Sequence, residues 1–510
     1  MTTIQQLLVR SYERFPEQVA LRDERRSLTY GELDSVVSRI IRAFAEWGLK
    51  TGDRVAIIAA NCVEFAAVDQ ACLVGGFVRM GINRRSHVSE ALALMERTEV
   101  ALVFADEQWF TDLSRVREWP TGRRLVSLGA DSDGREFLDR LDRDRTVVDR
   151  PTLGPDDPAV LLFTSGTSGA PKAITLTQGN LAGTARNMMI EVEIEAGDRV
   201  LHPIPMSHAA GNLLLAFACR GAEQILLSGF DPLNVLETVE SERVNVVTAV
   251  PTVLAALARA RPGFAGSLGS LRAIVYGGSS ISATDLKAAV DAFGETLHQM
   301  YAQSEGSLPL TRLSPGDHLR AVGDRPDLAA SAGRPTPFVD LRVMDAQGEF
   351  CPSGTRGEIV MRGDTVMAGY WKDPAATSAV IDDRGWLHTG DVGYISSDGY
   401  VFVVDRLRDL IITGGFNVFP AEVEAAVRRV EGVVDGAVYG VVDEKWGELV
   451  CVAVVTDGRR ITLEAVQEEC RRTISAYKVP RALVVREALP VNATGKVLRR
   501  ELRAQHGVRS

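Results

Sequence analysis

The feature that most restricts the fold of this chain is a repeated succession of amphipathic helix, glycine stop and short apolar strand. Thr29 and Glu32 form a capping-box pair, and Leu33, Val36, Val37, Ile40, Ile41 and Phe44 then fall at helical spacing. Such spacing gathers apolar side chains on one face, so a helix that packs on a core is expected here. Gly48 and Gly52 end it, and residues 55–60 follow as a short buried strand. The rhythm returns downstream: residues 224–227, 244–250 and 272–276 are strand-like, and residues 282–293 read as a helix. Strands that alternate with helices predict an α/β fold around a mostly parallel sheet. The 510 residues exceed what one hydrophobic core organises, which favours two or more domains. From about residue 333 to 404 the pattern changes to short strands with glycine turns (LRVMD, GEIVMRG, GYVFVV), the mark of a small β subdomain, and after Asp405 the alternation resumes. Residues 131–150 and 313–328 are polar and rich in charge or turn formers, and are expected to be surface loops.

Composition excludes several classes. Hydrophobic residues make up 45% of the chain and charged residues 24%, with no long block of one sign, as in globular rather than disordered proteins. A net charge of −10 argues against an unspecific nucleic-acid binder, so no nucleic-acid partner is expected. Cys62, Cys72, Cys219, Cys351, Cys451 and Cys470 contain no CxxC pair and are expected to be reduced, buried thiols of a cytoplasmic protein. The opening MTTIQQLLVRSYERF lacks a basic region followed by an apolar core, and no run of about 18 uncharged apolar residues occurs, so neither export nor a membrane span is expected.

The chemistry begins at LLFTSGTSGAPK, residues 161–172, where an apolar strand enters a loop of Thr, Ser and Gly closed by a lysine. Gly166 and Gly169 let backbone N–H groups approach anionic oxygens, Thr164, Ser165, Thr167 and Ser168 add hydroxyl donors, and Lys172 adds charge, so the loop suits phosphate. It is not a Walker A loop, because Lys172 follows Pro171 instead of a glycine. By itself the segment also reads as a flexible glycine-serine turn. His202 and His208 lie six apart with no third ligand, which makes a poor zinc site, and neither HExxH nor GxSxG occurs.

Five further motifs follow in order: YGGSSIS (276–282), MYAQSEG (300–306), GWLHTGD (385–391), VDRLRDLIITGGFNVFP (404–420) and NATGK (492–496). With the first loop they resemble the adenylate-forming superfamily of acyl-CoA synthetases, peptide-synthetase adenylation domains and luciferases, over nearly the whole chain. The resemblance implies a large N-terminal α/β domain at residues 1–404, with a β subdomain at about 333–404. It also implies a hinge at 405–408 and a mobile, smaller α+β C-terminal lid domain at 409–510. It further implies a nucleotide site in which Tyr301 stacks on adenine and Gly277, Gly278 and Ser279 form the opposite wall. Glu305 matches the magnesium ligand, with the Ser304 hydroxyl nearby. The family pattern there is Tyr-Gly-x-Thr-Glu, so Ala302 and Ser304 are departures, and the Ala302 methyl narrows the floor of the acyl pocket. Asp391 matches the carboxylate that binds the ribose hydroxyls, and Arg406 the arginine that contacts the nucleotide. Lys496 matches the lysine that contacts both the attacking carboxylate and the α-phosphate, where one cation neutralises two anions.

The same resemblance assigns His208 as the gate between nucleotide and acyl pocket, with Ala209, Gly211, Asn212, Gly277 and Ala302 around the acyl group. Thr164, Lys496, Glu305 and His208 are the expected catalytic residues. Arg408 matches the hinge position, and Gly414, Gly415 and Phe416 line the tunnel for the pantetheine arm. The expected reaction is attack of a carboxylate on MgATP to give an acyl-adenylate and pyrophosphate, then transfer to a thiol. ATP, Mg²⁺ and coenzyme A are the implied cofactors, and coenzyme A the expected acceptor. Amino-acid-activating relatives carry an aspartate after the histidine, where Ala209 stands, so the acid is expected not to be an α-amino acid. Transfer to a carrier-protein phosphopantetheine, an amine or nitrite stays open, as do luciferase-like oxidation and a non-catalytic ATP-responsive role.

Overall fold

The computed structural model describes residues 2–117, 119–130, 137–141, 150–164, 172–207, 210–413, 416–443, 446–491 and 497–506. The helix expected after Thr29 is present as Tyr30–Glu46, with the reciprocal Thr29 and Glu32 cap in place and all six periodic apolar residues buried. Gly48 and Gly52 beyond its end both take positive φ, the backbone state that favours glycine. The strand that follows is Arg54–Ile58, whose last four side chains are fully buried. A strand covered on both faces reads as a continuous apolar run, which is why it was visible in the sequence.

The chain divides into two compact units, one of residues 1–341, 360–389 and 399–401, the other of residues 342–359, 390–398 and 402–510. Among the described residues, the first unit contains two large sheets. One runs, from edge to edge, Arg334–Pro335, Ser307–Leu313, Leu297–Gln303, Ala273–Gly277, Val246–Ala249, Arg199–His202, Glu223–Leu226, Val19–Arg22 and Ser27–Thr29. Its six inner strands from Leu297–Gln303 to Val19–Arg22 are parallel. The other sheet runs Gly369–Tyr370, Lys172–Thr177, Pro158–Thr164, Val78–Gly81, Arg54–Ile58, Val100–Ala105 and Arg124–Ser127, parallel from Pro158–Thr164 onward. The mostly parallel α/β arrangement expected from the helix-strand rhythm is thus present twice. In such sheets ligands gather at the carboxyl ends of the strands, and His202, Gly277 and Tyr301 all stand at or near such ends. Four further strands, Val339–Met344, Gly357–Gly363, Leu387–Ile395 and Val401–Arg406, form a sheet in that order, and the division between the units falls within them.

The second unit is built on Phe416–Val418, Ile411–Thr413, Gly447–Thr456 and Val433–Asp443, with Ala482–Arg486 parallel to Gly447–Thr456. Alternation along these strands sends Val438, Val450, Val452 and Val454 to one face, with Val423 and Val427 of helix Pro420–Val427 and Val466 of helix Leu463–Thr473. It sends Ala437, Tyr439, Cys451 and Ala453 to the other, against Leu502 of helix Arg499–Ala504. Pro420 opens its helix at the first position, where the missing N–H costs nothing.

One expectation is corrected. Residues 313–328 are not a loop but contain helix Pro315–Val322 and the 3-10 turn Pro326–Ala330. Ser314 and Asp317 cap the helix reciprocally and Pro315 starts it, so local capping overrides a polar composition. Of residues 131–150, the described part contains one helical turn, Phe137–Arg140. All six cysteines are free; Cys72, Cys451 and Cys470 are buried, and Cys62, Cys219 and Cys351 are partly so. No described helix is long and apolar enough to cross a membrane.

Candidate active site

Strands Pro158–Thr164 and Lys172–Thr177 form an antiparallel pair in which Thr164 stands opposite Lys172. Residues 165–171, the expected phosphate loop, connect these two ends in sequence. Ser165, Gly166, Thr167, Ser168 and Gly169 lie outside the described residues, as do His208, Ala209, Gly414, Gly415 and Lys496.

The closing lysine has a definite setting. Its Nζ lies 4.7 Å from the ring centroid of Tyr370, a cation-π distance. Tyr370 is brought there by the edge strand Gly369–Tyr370, which pairs with Ile174 just beyond the lysine. The Tyr370 hydroxyl donates to Glu305 Oε1 at 3.1 Å, and the Glu305 carbonyl accepts from the Met367 N–H at 2.8 Å. Burial, reinforced by the Glu305 carboxylate, pushes the Tyr370 phenol up, which keeps it a neutral donor. Lys172 and Glu305, expected separately, are therefore joined through Tyr370, which sequence reasoning missed. The only signal was an aromatic after Gly369, which says nothing of its partners. Tyr370→Phe keeps the ring beside Lys172 and deletes the hydroxyl. We expect its KM for MgATP to rise about 10-fold, the scale of one hydrogen bond to a charged group, with little change in melting temperature. Pyrophosphate release against MgATP concentration checks this.

Gly277 pairs with Met300 across parallel strands, and a Cβ at Gly277 would stand 2.3 Å from the Met300 carbonyl oxygen. Only glycine permits that approach. Gly278 follows at φ +95° with open space above it, and Ser279 is exposed. The register of strand Leu297–Gln303 slips between Tyr301 and Gln303, which places Ala302 in an irregularity of the bulge type. Bulges re-aim neighbouring side chains. Tyr301, Ala302, Ser304 and Glu305 are all half-buried in this stretch, and Gln303 Nε2 donates to the Thr389 carbonyl at 3.0 Å. The expected adenine wall and magnesium ligand thus come from adjacent strand ends.

Asp391 is 2% exposed and pairs with Arg406, whose Nε lies 2.5 Å from Asp391 Oδ1. The resemblance implies a nucleotide role for both but does not show that they pair. Asp405 instead accepts the N–H groups of Arg406 at 2.8 Å and Ala421 at 2.9 Å, and burial pushes its carboxyl up to about 6 against these two bonds. Arg408 lies in the 3-10 turn Leu407–Asp409. Phe416 is 57% exposed and stacks on Tyr477 with centroids 4.8 Å apart.

Of the residues expected around the acyl group, Gly211 and Asn212 begin helix Ala210–Arg220. A Cβ at Gly211 would stand 2.2 Å from the Met206 carbonyl oxygen, and Asn212 is 1% exposed. His202 bonds Thr248 at 3.1 Å, and burial pushes its imidazole down to about 3, so it is a neutral core histidine. No group of three or more His, Cys, Asp or Glu suited to a metal occurs among the described residues.

The family model described as AMP-binding enzyme matches residues 8–371, and that of the AMP-binding enzyme C-terminal domain matches residues 422–496. A feruloyl-CoA synthase of Amycolatopsis sp is 36% identical over 98% of each chain. An indoleacetate–CoA ligase of Aromatoleum aromaticum is 33% identical over 96% of this chain and 95% of its own. Among solved structures, the amide bond synthetase McbA of Marinactinospora thermotolerans superposes with a TM-score of 0.87 at 30% identity, covering 98% of this chain and 99% of its own. The chain belongs to the AMP-binding enzyme family, the adenylate-forming superfamily. Its class is that of the AMP-forming acid–thiol ligases of acyl-CoA synthetase type, and the large N-terminal and smaller C-terminal domains expected from its motifs are those of its structural neighbours.

Proposed function

We propose that this enzyme activates an apolar or aryl carboxylic acid with MgATP and transfers the acyl group to coenzyme A. The observation that carries the reading is the joining of Lys172, Tyr370 and Glu305, a cation and an anion held by one phenol beside a phosphate-type loop. A triphosphate needs the cation, and a magnesium ion on it needs a hard oxygen such as Glu305. Glu305 and the neighbouring Ser304 hydroxyl are the side chains we assign to that ion, and Thr164 and Lys172 close the loop on the phosphates. Tyr301 with Gly277, Gly278 and Ser279 takes the adenine, and Asp391 with Arg406 the ribose.

Coenzyme A is favoured as acceptor by the full-length likeness to CoA-ligating enzymes. An amine acceptor is the second reading, favoured by the likeness to an amide bond synthetase. For either acceptor, residues 405–408 serve as the hinge about which the C-terminal domain, with Lys496, Gly414, Gly415 and Phe416, changes position between half-reactions. Unpaired cysteines throughout fit a cytoplasmic setting.

Pyrophosphate release over a panel of aryl, indolyl, straight-chain and α-amino acids, with coenzyme A or an amine as acceptor, tests the reading. We expect turnover with aryl or straight-chain acids and thioester as product. Turnover restricted to α-amino acids, or amide as the sole product, overturns the corresponding part. Ala209→Asp puts an unpaired carboxylate into the proposed pocket and is expected to lower kcat/KM for the preferred acid about 100-fold, on the scale of burying an uncompensated charge. Unchanged kinetics removes Ala209 from the pocket.

A further inference from the structure

Arg79 is the largest fully buried side chain among the described residues. It lies on Val78–Gly81, between strands Arg54–Ile58 and Pro158–Thr164 of the seven-stranded sheet, and its neighbours Val78 and Met80 are apolar core. Its Nε donates to Asp69 Oδ1 at 2.5 Å, and its Nη2 donates to Asn212 Oδ1 at 2.9 Å. Asp69 belongs to the buried helix Val63–Gly75, and its side chain is 4% exposed. The third nitrogen, Nη1, is buried with no protein partner. Charges removed from water in this way are no general source of stability, because apolar side chains of similar volume commonly serve as well or better. A buried cation with a split allegiance therefore calls for a role that apolar residues cannot fill, and directional hydrogen bonding is one.

What it orients is the start of helix Ala210–Arg220. The guanidinium lies against that turn, since a Cβ at Gly211 would come 3.4 Å from Arg79 Nη2. The incoming segment is tied from the bend that follows strand Arg54–Ile58. Asn61 donates to the carbonyls of His202 at 3.2 Å and Ile204 at 2.9 Å, and accepts from the Met206 N–H at 2.9 Å. A Cβ at Gly81, two residues beyond Arg79, would stand 2.3 Å from the Ser207 carbonyl oxygen, so the strand end and this segment are in close contact. The backbone of residues 202–206 is thus held by Asn61, and the side chain of Asn212 in the first turn of the helix by Arg79 with Asp69.

We propose that Arg79, held by Asp69, is a positioning residue for the acyl pocket: through Asn212 it fixes the first turn of helix Ala210–Arg220 and so sets which carboxylic acids are accepted. This rests on the reading above that Gly211 and Asn212 line that pocket. The test is steady-state pyrophosphate release over the acid panel for the wild type, Asn212→Ala, Arg79→Lys and the paired Asp69→Asn/Arg79→Met. The paired variant removes both charges together, so no lone charge is left buried. Its KM for the preferred acid is expected to rise about 10-fold and its order of preference to change, on the scale of one altered pocket contact, while KM for MgATP stays within about 2-fold. Asn212→Ala is expected to show the same reordering, and adding it to the paired variant is expected to change little more. Should the paired variant fail to fold, Arg79→Lys decides by the same criteria, because one ammonium cannot take the place of a fork that reaches both Asp69 and Asn212. A changed preference in Asn212→Ala but not in the Arg79 variants overturns the positioning role and leaves the pocket reading standing. No change in any of them overturns the pocket reading itself. Equal rises in KM for acid and MgATP make Arg79 a structural residue only, and the proposal fails.

Discussion

Glu305→Gln is expected to lower the rate of acyl-adenylate formation about 100-fold at fixed MgATP and to move the magnesium dependence to higher concentration. Loss of even an outer partner of a metal ligand costs about 10- to 100-fold, and the proposed ligand itself belongs at the upper end of that range. The geometry supports a local effect. Glutamine keeps the size of the side chain and can still accept from the Tyr370 hydroxyl, and the Met367 N–H bonds the backbone carbonyl of residue 305 and is untouched. What disappears is the negative charge that a hard cation requires. Pyrophosphate release titrated with magnesium at constant ATP, together with thermal melting, measures it. A variant with unchanged turnover and an unchanged magnesium curve places the ion elsewhere. Tyr370→Phe sits between it and the wild type on this reading, since it removes a support of the ligand and not the ligand.

Glu305 and Tyr370 also mark the line between what was legible in the sequence and what was not. Glu305 lies in a short contiguous motif, and so do Lys172, Gly277, Tyr301, Asp391 and Arg406; contiguous motifs survive in one dimension. The helix Tyr30–Glu46 was readable for a related reason, because its cap and its periodic apolar face are local. Tyr370 reaches Glu305 only because strand Gly369–Tyr370 pairs with Lys172–Thr177, and nothing near residue 370 announces that pairing. The Asp391–Arg406 pair is likewise a product of strand pairing, and the Gln303 bond to Thr389 joins strands of two different sheets. Arg79 is the sharpest case. A single arginine in an apolar strand reads as an exposed edge position or an interruption, and only the fold shows that Asp69 and Asn212 meet it in the core. Helix Pro315–Val322 was lost for a different reason: it is short and polar, and its capping signals were outweighed by composition.

Lys496→Ala is expected to reduce adenylation by at least about 10²-fold to 10³-fold, by analogy with removing one preorganised charge-stabilising donor. A carboxylate approaching a triphosphate is repelled by it, and a lysine between them is the one group proposed to neutralise both. The second half-reaction places no such demand on it. Supplied with pre-made acyl-adenylate and coenzyme A, the variant is expected to form acyl-CoA at close to the wild-type rate, because the hinge proposal puts residue 496 away from the anhydride at that stage. Arg408→Pro is expected to give the converse pattern. Proline fixes φ and removes an N–H within the turn Leu407–Asp409, which stiffens the proposed hinge while leaving the adenylation chemistry its residues. Each half-reaction is measured separately, pyrophosphate release for the first and thioester formation from the adenylate for the second, with a melting curve to show that both units are folded. Described residues cover both faces of the sheet of the second unit, so a folded Lys496→Ala protein is the expected starting point. If that folded variant is equally defective in both half-reactions, Lys496 acts throughout the cycle and the alternation of domains about residues 405–408 is not how this enzyme separates its two steps.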